Sequence, residues 1–449
     1  MTNVLSSSAV QDLLALVRRQ FREQCPAADL DAADQWTEAL VRQLAPLLLA
    51  AVAEECDPQR GYHGRTRACG CGAQARFVNY RSRWIQGLCG EIQVKRAYYH
   101  CSTCQHGHVP WDTAQGVNRT SFTPRLQARL TELTARLTYH DARRVFAQFT
   151  GRSLGVSTLE AVTQAVGEAA RQEEEAQLAA YGEHGTFPPA LPGLATHRGK
   201  RLYVGIDAAR AHIAGEWHDV KTAVVYAGTE KTDPQTGERR EGAGPLHYLA
   251  KQEGAEGFGQ RLYLWATRLG VERAAEVVVL GDGAEWIWNL AERHFSDAVQ
   301  ILDFYHAAEY LWRVARTVFG DGDTRGRTWA TKRCQRLAHR GPRGLLRALR
   351  ALQRVGERVL TRPEAAAAVA KAIQHFEMHQ ERMNYPQYRE RGLMIGSGPV
   401  EAACKVMVGG RLKGPGMRWS APGADAVLAV RALAVEGRHD ELIRFARAA

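Results

Sequence analysis

With 449 residues, 45% of them hydrophobic, the chain can bury two or three sizeable cores, so we expect a multidomain protein. Its net charge of +11 favours a polyanionic partner, with nucleic acid preferred if the charge clusters and an acidic membrane surface as the alternative. The chain lacks a run of roughly 18 apolar residues, a secretory signal pattern and a disulfide framework, and we therefore predict a cytoplasmic protein.

Residues 8–55 carry apolar side chains at helical spacing, which predicts two helices. The pattern consists of Leu13, Leu14, Leu16 and Val17, followed by Leu40, Val41, Leu44, Leu47 and Leu48. We expect these side chains to form an intramolecular core, and pairing with a second subunit is the alternative.

Four of the nine cysteines form two close pairs separated by two alternating segments and a Gly-containing turn at 87–90, which predicts a β-hairpin. Two such pairs can complete a tetrahedral zinc site, so the predicted ligands are Cys69, Cys71, Cys101 and Cys104. The histidines near enough in sequence to replace one ligand are His63, His100, His106 and His108. Four sulfur ligands leave no open position, and such a zinc ion would stabilise a module without doing chemistry. The alternative is a set of reduced cysteines without metal.

Residues 123–171 return to helical periodicity, with Thr123-Pro124 at the first helix start. A glycine-bearing turn at 151–155 then precedes a second helix, for which Ser157 is the predicted cap. This is the order of a helix-turn-helix, but an ordinary helical hairpin fits the local pattern equally. On the first interpretation, the exposed positions of the recognition helix are Ser157, Thr158, Glu160 and Thr163.

A segment rich in Pro and Gly, residues 182–200, predicts a domain boundary. The apolar run 201–207 after it reads as a buried strand that delivers Asp207 at its C-terminal end, and residues 276–280 form a similar strand leading to Asp282. The order of a hairpin, a third strand, a helix and a fourth strand matches a ribonuclease-H-like sheet. Because the first and fourth strands are neighbours in that topology, we expect Asp207 and Asp282 to face one another.

Residues 307–390 are predicted to be helical and are rich in arginine. One helix opens at Pro342 and repeats arginines every three or four residues, which places them on one face. These are Arg343, Arg347, Arg350, Arg354 and Arg358. We interpret the face as a phosphate contact, because a merely solvated face normally mixes charges of both signs.

The segment 396–399, Gly-Ser-Gly-Pro, predicts a loop into a helix whose first turn carries Glu401. Taken alone, this glutamate fits a helix-start role equally well. A basic stretch with an aromatic side chain follows, and it suits a DNA backbone and an unstacked base. Its members are Lys405, Arg411, Lys413, Arg418 and Trp419.

If Asp207, Asp282 and Glu401 converge, three carboxylates suit two Mg²⁺ or Mn²⁺ ions and two-metal phosphodiester chemistry. The alternative for each aspartate is an ordinary turn former at a strand end.

Five segments together resemble the DDE transposases of bacterial insertion sequences, of the Kra-type group related to Mutator-like transposases: YVGIDAAR, GDGAEWIWNL, LDFYHAAEYLW, IGSGPVEAACK and RLKGPGMRW. The likeness covers about residues 60–435. It implies a catalytic triad of Asp207, Asp282 and Glu401, with His306 and Asp303 as possible accessory residues. It further implies metal-dependent cleavage of element ends, strand transfer of the 3′-hydroxyl into target DNA, a homodimer or higher homo-oligomer, and a nucleoid-associated location.

The predicted architecture is multidomain α+β, with N-terminal helices (1–58), a zinc-ribbon-like module (59–120), a helix-turn-helix region (121–182) and a linker (183–200). A ribonuclease-H-like domain (201–306 and 393–449) then encloses an all-helical insertion (307–392). The alternative functions are a nuclease of the same fold without joining activity and a transposase-derived DNA-binding regulator.

Overall fold

The computed structural model describes residues 8–26, 29–57, 59–191, 200–232, 239–359 and 363–449. It has a mixed α+β architecture with two sheets, as expected for the fold class. The chain divides into a first compact unit (up to residue 130, 140–159 and 443–449) and a second one (131–139 and 160–442). Residues 192–199 of the predicted linker and the side chain of Arg358 lie outside the described residues. No helix in the described part of the chain is long and apolar enough to cross a membrane.

The first unit contains two N-terminal helices, a four-stranded antiparallel sheet in the order β1-β2-β3-β4 and a short helix. The elements are α1 (Ser8–Gln24), α2 (Leu30–Cys56), β1 (Thr66–Ala68), β2 (Gln74–Gly87), β3 (Gly90–Cys101), β4 (Gly107–His108) and α3 (Pro110–Gln115). Strands β2 and β3 form the predicted long hairpin, in which Gly87 pairs with Gly90 across a two-residue turn. Gly90 has a φ of 127°, which glycine adopts without strain.

The expectation that the leucines of residues 8–55 form an intramolecular core is wrong for the described residues. Helix α2 has no buried residue, and Leu13, Leu44 and Leu48 are all exposed. One side of α2 packs partly on the sheet, where Leu49 lies against the hairpin turn and contributes to a small apolar cluster. The opposite side of this helix leaves its apolar side chains in contact with solvent.

Three helices follow: α4 (Pro124–Arg136), α5 (Tyr139–Thr150) and α6 (Val156–His184). The predicted start of α4 is confirmed, but α6 begins one residue before the proposed cap Ser157 and continues through the acidic run at 173–175. The helix, turn and helix order of α5 and α6 therefore exists, and α6 is much longer than the pattern predicts.

The sheet of the second unit is built from β5 (Arg201–Ile213), β6 (Glu216–Thr232), β7 (Arg239–Ala243), β8 (His247–Lys251), β9 (Glu276–Gly281) and β10 (Val299–Leu302). Its order is β10-β9-β5-β6, with β8 and then β7 pairing with successive parts of β6. Strands β5, β9 and β10 are mutually parallel, and β6 is antiparallel to β5. The central strand β5 is apolar on both faces because helices cover both sides of the sheet.

The helices of the second unit are α7 (Ala255–Arg268), α8 (Glu285–His294), α9 (Phe304–Phe319), α10 (Thr324–Arg340), α11 (Pro342–Val359), α12 (Pro363–Met378), α13 (Tyr385–Glu390), α14 (Gly398–Cys404), α15 (Gly410–Leu412) and α16 (Ala421–Val435), and the chain ends with α17 (His439–Ala448). Helices α9 to α13 confirm the predicted helical character of residues 307–390. A π-helical turn at Lys405–Gly409 joins α14 to α15.

Candidate active site

Asp207 and Asp282 follow a pair of adjacent parallel strands. The β5–β9 register runs from Arg201 opposite Glu276 to Ile206 opposite Gly281, so the next residue on each strand is one of the two aspartates. The Asp282 carboxylate is close enough to disfavour the charged form of Asp207. Burial raises the pKa of Asp207 and the charge of Asp282 raises it further, whereas the N–H of Ala208 opposes the rise.

The prediction that Asp207 ends its strand is wrong. Strand β5 continues to Ile213 and turns through Ala214 and Gly215, both with positive φ, into β6. The hairpin thus extends past the end of β9, because its own antiparallel pairing continues where the parallel pairing stops. Asp207 therefore lies where the pairing of β5 with β9 stops. On one side it still pairs with Thr222 of β6, and on the other side the edge of β5 is open.

The turn after β9 requires glycine next to Asp282. The Asp282 carboxylate accepts a 3.0 Å hydrogen bond from the N–H of Ala284, and Gly283 has a φ of 103°. A Cβ at Gly283 would lie 3.0 Å from Cε1 of His375 and 3.4 Å from Nε2 of His379. The turn that carries Asp282 is therefore packed directly against two imidazoles.

His306, His375 and His379, which we call the histidine cluster, come from α9, α12 and the residue after α12. The rings of His306 and His375 are 5.8 Å apart, those of His375 and His379 are 4.9 Å apart, and Tyr310 stacks on His375 at 3.9 Å. Burial lowers the pKa of His379 and lowers that of His375 to about 3, so both imidazoles are neutral at physiological pH. His306 is half-buried, and it opposes the rise in the pKa of Asp207 that burial and Asp282 cause.

Asp303 is buried and has a structural role. Its carboxylate caps α9 by accepting from the N–H groups of Tyr305 and His306, and it also accepts from the N–H and, at 2.6 Å, the hydroxyl of Ser397. These four bonds connect the start of α9 to the loop that precedes α14. Asp303 thus positions the loop, and its oxygens are already engaged.

Helix α14 packs on β5 next to Asp207. A Cβ at Gly205 would lie 3.0 Å from Cβ of Val400, and the Cys404 thiol donates to Oδ2 of Asp207 at 3.5 Å. Burial raises the pKa of Cys404 to about 12, so it remains a thiol. Glu401 lies in the first turn of α14 and is exposed, and within the described residues no hydrogen bond or ion pair joins it to either aspartate. Because residues three apart share a helix face, Glu401 and Cys404 project to the same side of α14.

The four predicted zinc ligands converge in the first unit. Sγ of Cys69 is 3.5 Å from Sγ of Cys104, Sγ of Cys71 is 3.7 Å from Sγ of Cys101, and all four sulfurs lie within 4.8 Å of one another. Tetrahedral zinc with Zn–S bonds of about 2.3 Å requires sulfurs about 3.8 Å apart. Nε2 of His108 lies 3.0 Å from Sγ of Cys69, so one of the four nearby histidines also reaches the cluster. In the described part of the chain, this is the one convergent group of three or more potential metal ligands.

Several predicted DNA-binding side chains are accessible. Those that are exposed are Ser157, Lys405, Lys413 and Arg418, and Thr158 is half-buried. On α11 the exposed arginines are Arg343, Arg347, Arg350 and Arg354, opposite the buried Leu345 and Leu349. Arg350 also pairs with Glu377 of α12. We call these four side chains the arginine face.

Two predicted DNA contacts, Thr163 and Arg411, are wrong in placement, and a third, Trp419, packs on one of them. Thr163 is fully buried, and its hydroxyl bonds to that of Thr134 at 2.7 Å. Arg411 is 2% exposed and donates to the carbonyl oxygen of Thr134 at 2.8 Å. Trp419 is half-buried, and its ring lies 4.6 Å from the Arg411 guanidinium. A basic residue followed by an aromatic one can form an internal cation–π contact as readily as a DNA-binding loop.

The cysteine beside Asp207 and two of the clustered histidines were missed from the sequence. His375 and His379 are four residues apart in a helical segment, a spacing that places two imidazoles on one face and could have identified them. Cys404 offers no such signal, because only the tertiary contact of α14 with β5 reveals its role. Carboxylate oxygens at the sheet edge suit a hard divalent cation, and the four thiols suit zinc.

One comparison with known proteins identifies a relationship. A family model described as "Uncharacterised protein family (UPF0236)" matches residues 39–447. No curated protein matches the chain.

Proposed function

Since the chain belongs to the UPF0236 family, whose description assigns no activity, we propose from its own residues that it is a DDE transposase of a bacterial insertion sequence. The proposed reaction is metal-dependent hydrolysis at the element ends, followed by attack of the freed 3′-hydroxyl on target DNA. The observation that carries the proposal is the adjacency of Asp207 and Asp282 after paired parallel strands, with the helix that bears Glu401 packed on the same strand.

The sheet order supports the proposal. A hairpin, β5 and β6, is followed by β8 on the outer side of β6 and by β9 and β10 on the other side of β5. A ribonuclease-H-like sheet has this order, in which three antiparallel strands are extended by two parallel strands. We therefore assign this fold to the second unit. Helices α9 to α13 then form the helical insertion between Asp282 and Glu401.

In the proposed mechanism, Asp207, Asp282 and Glu401 would together hold two divalent cations. Two such ions, when bound, activate the attacking water or 3′-hydroxyl and stabilise the leaving oxygen. Asp207 and Asp282 fix the position of the site on the rigid sheet. Repulsion between their carboxylates favours cation binding, because a nearby positive charge relieves it. Glu401 shares a helix face with Cys404, and that face is directed toward Asp207.

The charged surfaces support DNA as the partner. The arginine face presents four guanidinium groups that can each contact a backbone phosphate, a sequence-independent interaction. Lys405, Lys413 and Arg418 add exposed positive charge to the segment after Glu401. The cysteine cluster would hold a structural zinc ion that stabilises the small sheet of the first unit.

Asp207→Asn tests the assignment. Incubation with labelled terminal inverted-repeat DNA, Mg²⁺ and a plasmid target should give joined product with the unmutated protein. The variant should lose cleavage by at least about a thousandfold while retaining DNA binding, because the amide cannot supply the anionic ligand. Asp219→Asn, an equal change at an exposed position of β6, is the matched control and should remain active.

Each alternative function predicts a different product in this assay. Cut DNA without joined product would identify a nuclease, and retarded DNA without cleavage would identify a DNA-binding regulator. Cleavage by Asp207→Asn at the level of the unmutated protein would reject the proposed site.

A further inference from the structure

One face of the β2–β3 hairpin is open to solvent and carries two exposed aromatic rings. Alternate residues of a strand share a face, and so do directly paired residues of antiparallel strands. On β2 and β3 this rule places five exposed side chains together, which we call the aromatic face: Tyr80, Ser82, Trp84, Gln93 and Lys95. Tyr80 is 41% exposed and Trp84 is 54% exposed. The whole face lies within the first unit.

The opposite face of the hairpin is part of the core of the first unit. Ile85 and Ile92 are buried in a cluster with Trp111. Arg96 donates to the buried Asp112 at 2.8 Å. An antiparallel sheet that is packed on one side normally presents polar side chains on the other. Two large rings on the solvent side of a strand that is fixed from behind therefore indicate a binding surface.

The spacing and the surroundings of the two rings suit stacked bases. Tyr80 and Trp84 are four residues apart on β2, which separates them by about 13 Å along the strand. Tyr80 is held by Phe77, which meets its ring edge-on with the centroids 5.4 Å apart. Ser82 and its pair Lys95 lie between the rings, and the Lys95 ammonium group is 5.9 Å from the centre of the Tyr80 ring. A cation between two stacking positions can contact a phosphate of the connecting backbone.

We propose that the aromatic face binds an unpaired nucleic-acid strand whose bases stack on Tyr80 and Trp84. Every base has a flat surface that can stack on an aromatic side chain, and aromatic side chains on an open sheet bind single strands in this way. In a duplex that surface is already covered by the neighbouring base pairs. The aromatic face therefore distinguishes unpaired from paired nucleotides.

The charge of this part of the chain favours a strand of nucleic acid. Residues 59–108 contain eight basic residues and a single acid, Glu91. Three of the eight, Arg60, Arg83 and Arg96, already pair with acids outside this range. The others form no ion pair with another described residue and can neutralise backbone phosphates. They are Arg65, Arg67, Arg76, Arg81 and Lys95.

An acidic membrane surface, the other partner that positive charge permits, fits the aromatic face less well. A segment that inserts into the membrane interface needs a continuous apolar surface. Here the polar Ser82 and the charged Lys95 separate the two rings. Alternating rings and polar groups match a strand in which bases and phosphates also alternate.

Trp84→Ser tests the proposal. It should weaken the binding of a labelled single strand of about 20 nucleotides by about tenfold or more, because stacking on one ring is lost. The affinity for a duplex of the same sequence should change by less than about twofold, since a duplex offers no free base surface. Fluorescence anisotropy of the full-length protein without divalent metal measures both affinities.

Two further variants serve as controls. Trp84→Phe keeps a ring and should bind the single strand within about threefold of the unmutated protein. Trp217→Ser removes a 59% exposed indole from β6 and should leave both affinities unchanged. Circular dichroism reports whether each variant is folded.

A second measurement detects stacking directly. A base analogue whose fluorescence is quenched by stacking should lose emission when its single strand binds the unmutated protein, and should lose less with Tyr80→Ser/Trp84→Ser. DNA and RNA strands of the same sequence offer the same base surfaces. The strand that the unmutated protein binds more tightly identifies which of the two the face takes.

Equal weakening of single-strand and duplex binding by Trp84→Ser would overturn the proposal, because the side chain would then contact nucleic acid regardless of base pairing. A loss no larger than that of Trp217→Ser would also overturn it, as would unchanged quenching in the double variant. None of these measurements involves cleavage, so the result is independent of the proposed transposase activity.

Discussion

At the scale of single residues, we expect the buried His375 behind Asp282 to make the stability of the protein depend on pH. His375 is buried between Tyr310 and His379, and that burial lowers its pKa from 6.5 to about 3. An unfolded chain takes up a proton at this position near pH 6.5, whereas the folded chain does so only near pH 3. The stability present above pH 6.5 is therefore lost progressively as the pH falls between these two values.

We predict that His375→Phe makes stability less dependent on pH. Phenylalanine keeps a ring against Tyr310 but cannot bind a proton, so the contribution of this site, on the order of 2 kcal/mol at pH 5, should disappear. Melting temperatures measured from pH 7.5 to pH 5 should fall less steeply for the variant than for the unmutated protein. The exposed His184 at the end of α6 provides the control, His184→Phe. Parallel pH profiles for His375→Phe and the unmutated protein would contradict the assignment.

The sequence was sufficient to predict that the two aspartates are neighbours, but it misplaced two polar side chains that were expected to contact DNA. Asp207 and Asp282 could be paired from the sequence because each follows a run of buried β-branched and aliphatic residues, and such strands pair in few ways. Thr163 and Arg411 were misplaced for the opposite reason. A polar side chain in a helix is expected at the surface, yet the Thr163 hydroxyl bonds to that of Thr134, and Arg411 donates to the carbonyl oxygen of Thr134.

At the scale of elements, α11 shows a clear division between its two sides. Leu345, Leu346 and Leu349 are buried against the helical region, while the arginine face remains accessible. The amphipathic period was readable from the sequence because leucines and arginines each recur every three or four residues over three turns. The length of α6 could not be predicted from the sequence. Its acidic run resembled the end of a helix, and the residues that pair with this run lie far away in the chain. One such pair is Glu174 with Lys251 of β8.

We predict that the arginine face contributes to the salt dependence of DNA binding. Arg347→Gln with Arg354→Gln should reduce the slope of log affinity against log salt by about 2, because each lost phosphate contact releases about one counterion fewer. Fluorescence anisotropy with labelled duplex DNA from 50 to 200 mM salt, both ordinary assay values, measures the slope. Arg273→Gln with Arg293→Gln removes the same charge from exposed positions elsewhere in the second unit. An equal loss of slope in this control would mean that net charge alone accounts for the effect.

At the scale of the whole molecule, the part of the first unit that surrounds the four cysteines has few buried apolar residues. The cluster around the cysteines contains Ala75, Ala97 and Tyr99 besides Cys69 and Cys101, and a core this small rarely stabilises a sheet unaided. A metal ion at the four thiols would replace the missing apolar contacts with coordination bonds.

We predict that the purified protein carries about one zinc ion per chain, as measured by mass spectrometry of the elements. Cys104→Ser should remove it and lower the melting temperature of the first unit, because the site loses one of four ligands. Cys89→Ser, at the exposed hairpin turn, should retain zinc and melt like the unmutated protein. A metal-free protein whose stability is unchanged by Cys104→Ser would show that the thiols are simply reduced cysteines.

The hydrogen bond between Cys404 and Asp207 joins residues 197 positions apart, and this fixes when the site can form during synthesis. Strands β5 and β9 are translated before α14. The 122 residues that then separate Asp282 from Cys404 take roughly 6–24 s to translate at about 5–20 residues per second. During that interval the nascent chain has two of the three carboxylates and much of the arginine-rich surface, but not the helix that carries Glu401. On the proposed function, a growing chain would therefore carry residues for binding DNA before its site for cutting DNA is complete.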